Sequence, residues 1–360
     1  MTTRLTGAVL FVLACGLAAF AAPMIQADSE VYEFGSILEG LSIEHTFVLT
    51  NVGDETLVIH QVRATCGCTT TELATDELAP GESVGLTMIV STAGGNGSFS
   101  KYVYVYSNDP RYSAASGDGG QRFTLFVRGT VLRAEPYNIS TEDVHYYYVP
   151  LIDVRPYADY AAGHLVGAVN IPAEMLLAQA DTLPVNNLLV LYDKDESVTR
   201  GLIEDLIGEG LPLARYLDGG LASWYSQYGR EYIVPAQSAN TYGAPAGSSS
   251  KAGMFARASD IYRGYRILID LRTPAEYEAG HLFGAINLPA TTFTVTALQG
   301  LLSTSPMTTE IILYDATGRD SDALAQSLIM GGYVNAKSLL GGFAEWTRAY
   351  GDDLIWSGTE

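Results

Sequence analysis

Leu151-Ile-Asp-Val-Arg-Pro-Tyr-Ala-Asp-Tyr-Ala-Ala-Gly-His-Leu-Val-Gly-Ala-Val-Asn-Ile-Pro172 returns as Leu268-Ile-Asp-Leu-Arg-Thr-Pro-Ala-Glu-Tyr-Glu-Ala-Gly-His-Leu-Phe-Gly-Ala-Ile-Asn-Leu-Pro289, with 14 of the 22 positions identical. That agreement marks an internal duplication. Two later blocks recur in the same order: Leu189-Val-Leu-Tyr-Asp193 as Ile311-Ile-Leu-Tyr-Asp315, and Leu217-Asp-Gly-Gly-Leu-Ala-Ser-Trp224 as Leu339-Leu-Gly-Gly-Phe-Ala-Glu-Trp346. Each copy alternates short apolar strands with amphipathic helices, the pattern of a parallel α/β sheet. The copies occupy residues 140–235 and 254–360. Residues 236–253 between them are rich in Ala, Gly, Ser and Pro and read as a flexible linker.

Outside the duplication the pattern changes. Residues 28–135 carry alternating runs such as Val58-Ile-His-Gln-Val62 and Tyr102-Val-Tyr-Val-Tyr106, separated by the turn signals Asn51-Val-Gly-Asp54, Pro80-Gly81 and Asn108-Asp-Pro110. Strands of this length and spacing predict an all-β sandwich. Upstream, Arg4 is the one charge before an uncharged stretch from Leu5 to Ala27. Residues 1–27 therefore read as a secretory signal, with Ala21, Ala22 and Ala27 as small residues at which it could be cut. The expected location is the periplasm or cell envelope, with membrane attachment if the segment is not removed. The whole chain has 40 acidic and 20 basic residues, a net charge of −20. Such a charge repels phosphate backbones and argues against nucleic-acid partners.

The ordered elements of the duplication, Asp-Val-Arg, then Tyr-x-x-Gly-His-Leu-x-Gly-Ala-x-Asn-x-Pro, then a buried strand, then Gly-Gly-x-x-x-Trp, resemble a rhodanese (sulfurtransferase) domain, twice over. The resemblance implies an active-site loop after the strand Leu189–Tyr192 and its counterpart, where catalytic members place a cysteine that carries a persulfide. Here that position holds Asp193 and Asp315. A tight loop at a helix N-terminus favours negative charge. A carboxylate supplies that charge permanently, cannot form a persulfide, and should repel an anionic donor such as thiosulfate. The surrounding loop differs too: the first copy lacks the glycine and has Arg200, while the second keeps Gly318 but has Arg319 one place early. The expectation is a protein without sulfurtransferase activity or cofactor, whose loops serve as recognition pockets for cations or a partner's basic loop. His164 and His281 read as packed histidines, and Asp153 with Arg155, and Asp270 with Arg272, as structural ion pairs.

Cys66-Gly-Cys68 follows the strand that includes Leu57 to Val62. The module around it resembles an uncharacterised bacterial family of short immunoglobulin-like domains related to the Hydin-type sandwich. Three readings of the pair stand: a structural turn or plain disulfide, a redox or sulfur-carrying pair, and a soft-metal ligand pair. The functional expectation is a binding or scaffolding protein of the envelope, partnered by another envelope protein or a small ligand. The competing expectation is a sulfurtransferase or thiol-redox protein that uses Cys66 and Cys68.

Overall fold

The computed structural model describes residues 22–112, 122–235 and 253–357. The expected signal up to residue 21 and the linker residues 236–252 lie outside the described residues. Among those described, no helix is long and apolar enough to cross a membrane. The chain forms two compact units. One comprises the chain up to Ser36 with Ile43–Ser91 and Ser98–Thr130, and the other Ile37–Ser42, Thr92–Gly97 and everything from Val131 onward.

The N-terminal strands are β1 (Ile25–Ala27), β2 (Val31–Leu38), β3 (Ser42–Asn51), β4 (Leu57–Ala64), β5 (Thr69–Leu73), β6 (Glu77–Leu78), β7 (Ser83–Ser91), β8 (Gly97–Ser107) and β9 (Phe123–Leu132). They make a sandwich of two sheets, ordered β1-β3-β7-β5 and β2-β9-β8-β4-β6. Alternation decides which residues face inward. Val84, Leu86, Met88 and Val90 of β7 and Phe123, Leu125 and Val127 of β9 are all buried. Each fully buried Leu or Phe contributes about 1.5–3 kcal/mol.

Strand β1 falls inside the span 1–27 that the sequence assigns to a signal. Its residues pair with Leu49–Asn51 of β3. The Ile25 N–H donates to Asp109 Oδ2 at 2.7 Å, and Arg111 Nη2 donates to the Ile25 carbonyl at 2.6 Å. A cut after Ala27 would take this strand away, whereas a cut after Ala21 or Ala22 would leave it.

The duplicated half contains two five-stranded parallel sheets. In the first, the order is Ala168–Asn170, Leu151–Asp153, Leu189–Tyr192, Ala214–Leu217 and Phe255–Ala256. In the second, it is Asn138–Ile139, Ala336–Leu339, Glu310–Tyr314, Arg266–Asp270 and Ile286–Asn287. The edge strands are exchanged. Phe255–Ala256, which opens the second repeat, pairs with Tyr216 and Leu217 of the first. Asn138–Ile139, which opens the first, pairs with Ser338 and Leu339 of the second. Each opening helix follows its strand across: His145 stacks on Tyr350 at 4.1 Å, and Tyr262 stacks on Tyr228 at 4.0 Å. The limits 140–235 and 254–360 therefore mark the sequence repeats, while each sheet draws on both.

Candidate functional site

Leu189–Tyr192 and Glu310–Tyr314 are central strands with every apolar side chain buried, which is why they read as unbroken hydrophobic runs. Each ends at an aspartate, and the chain then curls into the helix Thr199–Gly208 or Arg319–Met330. The Gly-Gly pair of the following element closes on this curl. Gly219, Gly220, Gly341 and Gly342 all have positive φ. A Cβ on Gly220 would lie 2.6 Å from Asp195 N, and one on Gly342 would lie 2.4 Å from the Asp315 carbonyl oxygen. That close approach lets Leu221 N–H bond the Asp193 carbonyl at 3.0 Å and Phe343 N–H bond the Asp315 carbonyl at 2.8 Å. Only glycine combines this backbone conformation with this approach.

Inside each curl the aspartate folds back onto the loop's own N–H groups. Asp315 Oδ1 accepts from Thr317 N at 2.6 Å and from Gly318 N, while Oδ2 accepts from Asp320 N and from Ser321 N at 2.9 Å. Asp193 Oδ1 accepts from Glu196 N at 2.6 Å and Thr199 Oγ1 at 3.3 Å, and Oδ2 accepts from Val198 N at 2.6 Å. Their exposures are 3% for Asp193 and 7% for Asp315. Both carboxylates are buried and turned inward, because the N–H groups at the helix start attract them more closely than solvent does. Burial raises the Asp193 carboxyl above its usual range, with the Val198 and Glu196 N–H bonds pulling the other way.

The two loops are alike in a way the sequence hides. Glu196 lies three residues after Asp193, as Gly318 lies three after Asp315, and it adopts φ 69° where Gly318 has φ 85°. Its Oε2 accepts from Gly219 N at 2.8 Å, and its Oε1 lies 3.8 Å from Arg200 Nη1. A side chain thus repays a left-handed backbone that costs about 1 kcal/mol. Arg319 is the first residue of its helix and is exposed.

The other expected residues have structural positions. His164 and His281 stack on Tyr160 and Tyr277 at 3.7 and 3.6 Å, and each Nδ1 lies 2.9 Å from the carbonyl of that same tyrosine. Burial lowers the pKa of both. Arg155 and Arg272 each bond the aspartate two residues earlier and the carbonyl of Gly163 or Gly280.

Cys66 and Cys68 are joined in a disulfide. The pair sits where the chain leaves β4, in one sheet, for β5, in the other, and both residues are half-buried. Thr69 Oγ1 lies 3.4 Å from Cys66 Sγ. Among the described residues no group of three or more His, Cys, Asp or Glu is arranged to hold a metal ion.

Comparison with known proteins gives separate matches to the N-terminal strands and to each copy of the duplication. The profile described as a protein of unknown function, DUF1573, matches residues 25–115. The rhodanese-like domain matches residues 138–227 and again 256–349. Among solved structures, a thiosulfate sulfurtransferase from Pseudomonas aeruginosa is 22% identical over 59% of this chain and 41% of its own, with a TM-score of 0.24. A protein of unknown function from Porphyromonas gingivalis W83 is 22% identical over 32% of this chain and 50% of its own, with a TM-score of 0.26. A PapD-like domain of human CEP192 is 10% identical over 38% of this chain and all of its own, with a TM-score of 0.26. The chain thus spans about half or less of the length of the first two. With both copies counted, the rhodanese-like match takes in more than half of the residues, each copy beginning at the exchanged strand, and on that extent the chain belongs to the rhodanese-like domain family.

Proposed function

We propose that this is an exported protein whose two rhodanese-like domains do not transfer sulfur and act instead in binding or scaffolding at the cell envelope. One observation carries the reading. The loop that would cradle an anionic sulfur donor is already filled, in both repeats, by the carboxylate at its first position. With Asp193 and Asp315 in place of cysteine there is no nucleophilic sulfur on either strand, and the N–H groups that would stabilise a persulfide are engaged. Export rests on Arg4 followed by the uncharged run from Leu5 to Ala27. The test is thiocyanate formation from thiosulfate and cyanide by the full chain. The expected rate equals that of heat-killed protein, and a rate well above it would overturn the proposal.

A second reading, thiol-redox or sulfur exchange at Cys66 and Cys68, is favoured by the disulfide at a half-exposed turn. Thiocyanate formation abolished by Cys66→Ser or Cys68→Ser would move the assignment to it.

A further inference from the structure

At the amino-terminal end of the second repeat's sheet, opposite to the end that carries Asp315, there is a cavity of about 400 Å³. Arg263, Gly264, Arg266, Thr308, Glu310 and Asn335 line it, together with tyrosine rings. The volume is at the lower end of the ~300–1,000 Å³ usual for small-molecule sites.

The duplication supplies a control within the same chain. Aligned through Leu151 with Leu268 and Ala214 with Ala336, these lining positions correspond to Tyr146, Tyr147, Val149, Leu188 and Leu213 in the first repeat. Where one copy has five apolar or aromatic residues, the other has Arg263, Gly264, Arg266, Glu310 and Asn335. Packing of the shared fold does not demand the change, since the first copy builds the same sheet without it.

The chemistry of the wall is specific. Arg266 is engaged by Glu310, by the Asp143 carbonyl at 3.1 Å and by the Tyr147 ring at 5.5 Å. Arg263 is exposed and makes no ion pair among the described residues. Tyr232 Oη and Thr309 Oγ1 are 2.9 Å apart, and Asn335 Nδ2 donates to the Thr308 carbonyl at 2.6 Å, which leaves the amide oxygen of Asn335 directed elsewhere. A cation beside hydroxyl, amide and aromatic groups fits an anion that also bears hydroxyls. Gly264 opens the space: it has φ −111°, and a Cβ there would meet nothing within 4 Å.

We propose that this cavity binds a small hydroxylated carboxylate of single-ring size, such as a sugar acid, with its carboxylate on Arg263 and its hydroxyls toward Thr308 and Asn335. The site is separate from the Asp193 and Asp315 loops and stands or falls independently of their inactivity.

Isothermal titration of the full chain with glucuronate, with glucose as the neutral control, tests this. Saturable binding of glucuronate and none of glucose is expected. Arg263→Gln should weaken binding by roughly tenfold, the loss of one charge-assisted bond. Gly264→Tyr, which installs the residue the first repeat carries at this position, should abolish binding while leaving the thermal melt in place. The proposal is overturned if wild-type protein binds no glucuronate, if glucose binds equally well, or if folded Gly264→Tyr binds undiminished.

Discussion

The hydroxyl of Tyr148 donates to the carbonyl of Phe283 at 2.8 Å, joining the first repeat to the second, and Tyr265 returns the same bond to Val166 at 2.7 Å. Val166 and Phe283 occupy the same place in the two copies, as do Tyr148 and Tyr265, so the duplicated halves face each other with internal two-fold symmetry. The glycines that follow, Gly167 and Gly284, meet across this junction with φ of 80° and 73°.

Gly284 is the tighter of the two. A Cβ there would lie 2.3 Å from the Gly167 carbonyl oxygen and 2.7 Å from Tyr148 Oη, whereas one on Gly167 would be 3.2 Å from the Gly284 oxygen. Gly284→Ala should therefore destabilise by about 3 kcal/mol through backbone overlap and a strained φ, and Gly167→Ala by about 1 kcal/mol. Urea unfolding of the two variants checks the order, and equal losses would refute this account of the junction.

The exchanged strands should hold the repeats together without a covalent link. A protease site placed within residues 236–252 and cut in the folded protein should yield two fragments that co-elute in gel filtration. They should separate when urea is added. Fragments that part under native conditions would show that the exchange contributes little.

Asp315→Ala should leave four N–H groups unpaired at the helix start, at a cost of about 3 kcal/mol. Sulfate should then recover part of that loss by binding where the carboxylate was, so the melting temperature of the variant should rise with sulfate more than that of wild type. Equal responses would mean that the loop collapses when emptied. Asp193→Ala should behave likewise, with a smaller recovery because Glu196 remains beside the nest.

Burial alone would raise the Asp109 carboxyl, but bonds from Arg111 and the Ile25 N–H outweigh it and hold the pKa below its usual value. A depressed acid stabilises the fold above its unfolded pKa, about 3.9. The contribution is lost as pH falls through the lower, folded value. Hydrogen exchange at β1 should accelerate below about pH 4, and Asp109→Asn should flatten that response at a cost of about 2 kcal/mol at neutral pH. An unchanged pH profile in Asp109→Asn would assign the acid sensitivity elsewhere.

The repeats and their sheets were legible because every element leaves a local trace: a buried apolar run at Leu189–Tyr192, a glycine pair before Trp224, a Tyr-x-x-Gly-His sequence where His164 stacks on Tyr160. The exchange of edge strands left none. Asn138–Ile139 and Phe255–Ala256 are two residues each, and nothing local distinguishes pairing with one copy from pairing with the other. The aspartates were legible as positions, but their direction was not, because it depends on N–H groups presented only when the loop closes. Glu196 concealed the likeness of the two loops. Its one sequence signal was the shared three-residue spacing from the aspartate, since glutamate does not announce a left-handed backbone. The cysteine pair could be placed at a turn, while its oxidation depends on tertiary geometry that Cys-x-Cys does not encode.

Because the first repeat takes its last strand from Phe255–Ala256, a nascent chain that has delivered all of residues 140–235 still carries an unfinished sheet. The edge at Tyr216 and Leu217 stays open until the linker and the start of the second repeat have emerged. The second sheet, in turn, waits on no later residue for this edge: Asn138–Ile139 is made at the opening of the first repeat. Synthesis therefore imposes an order in which the earlier copy is completed by the later one, and truncation anywhere before residue 256 leaves the first copy with an exposed strand edge.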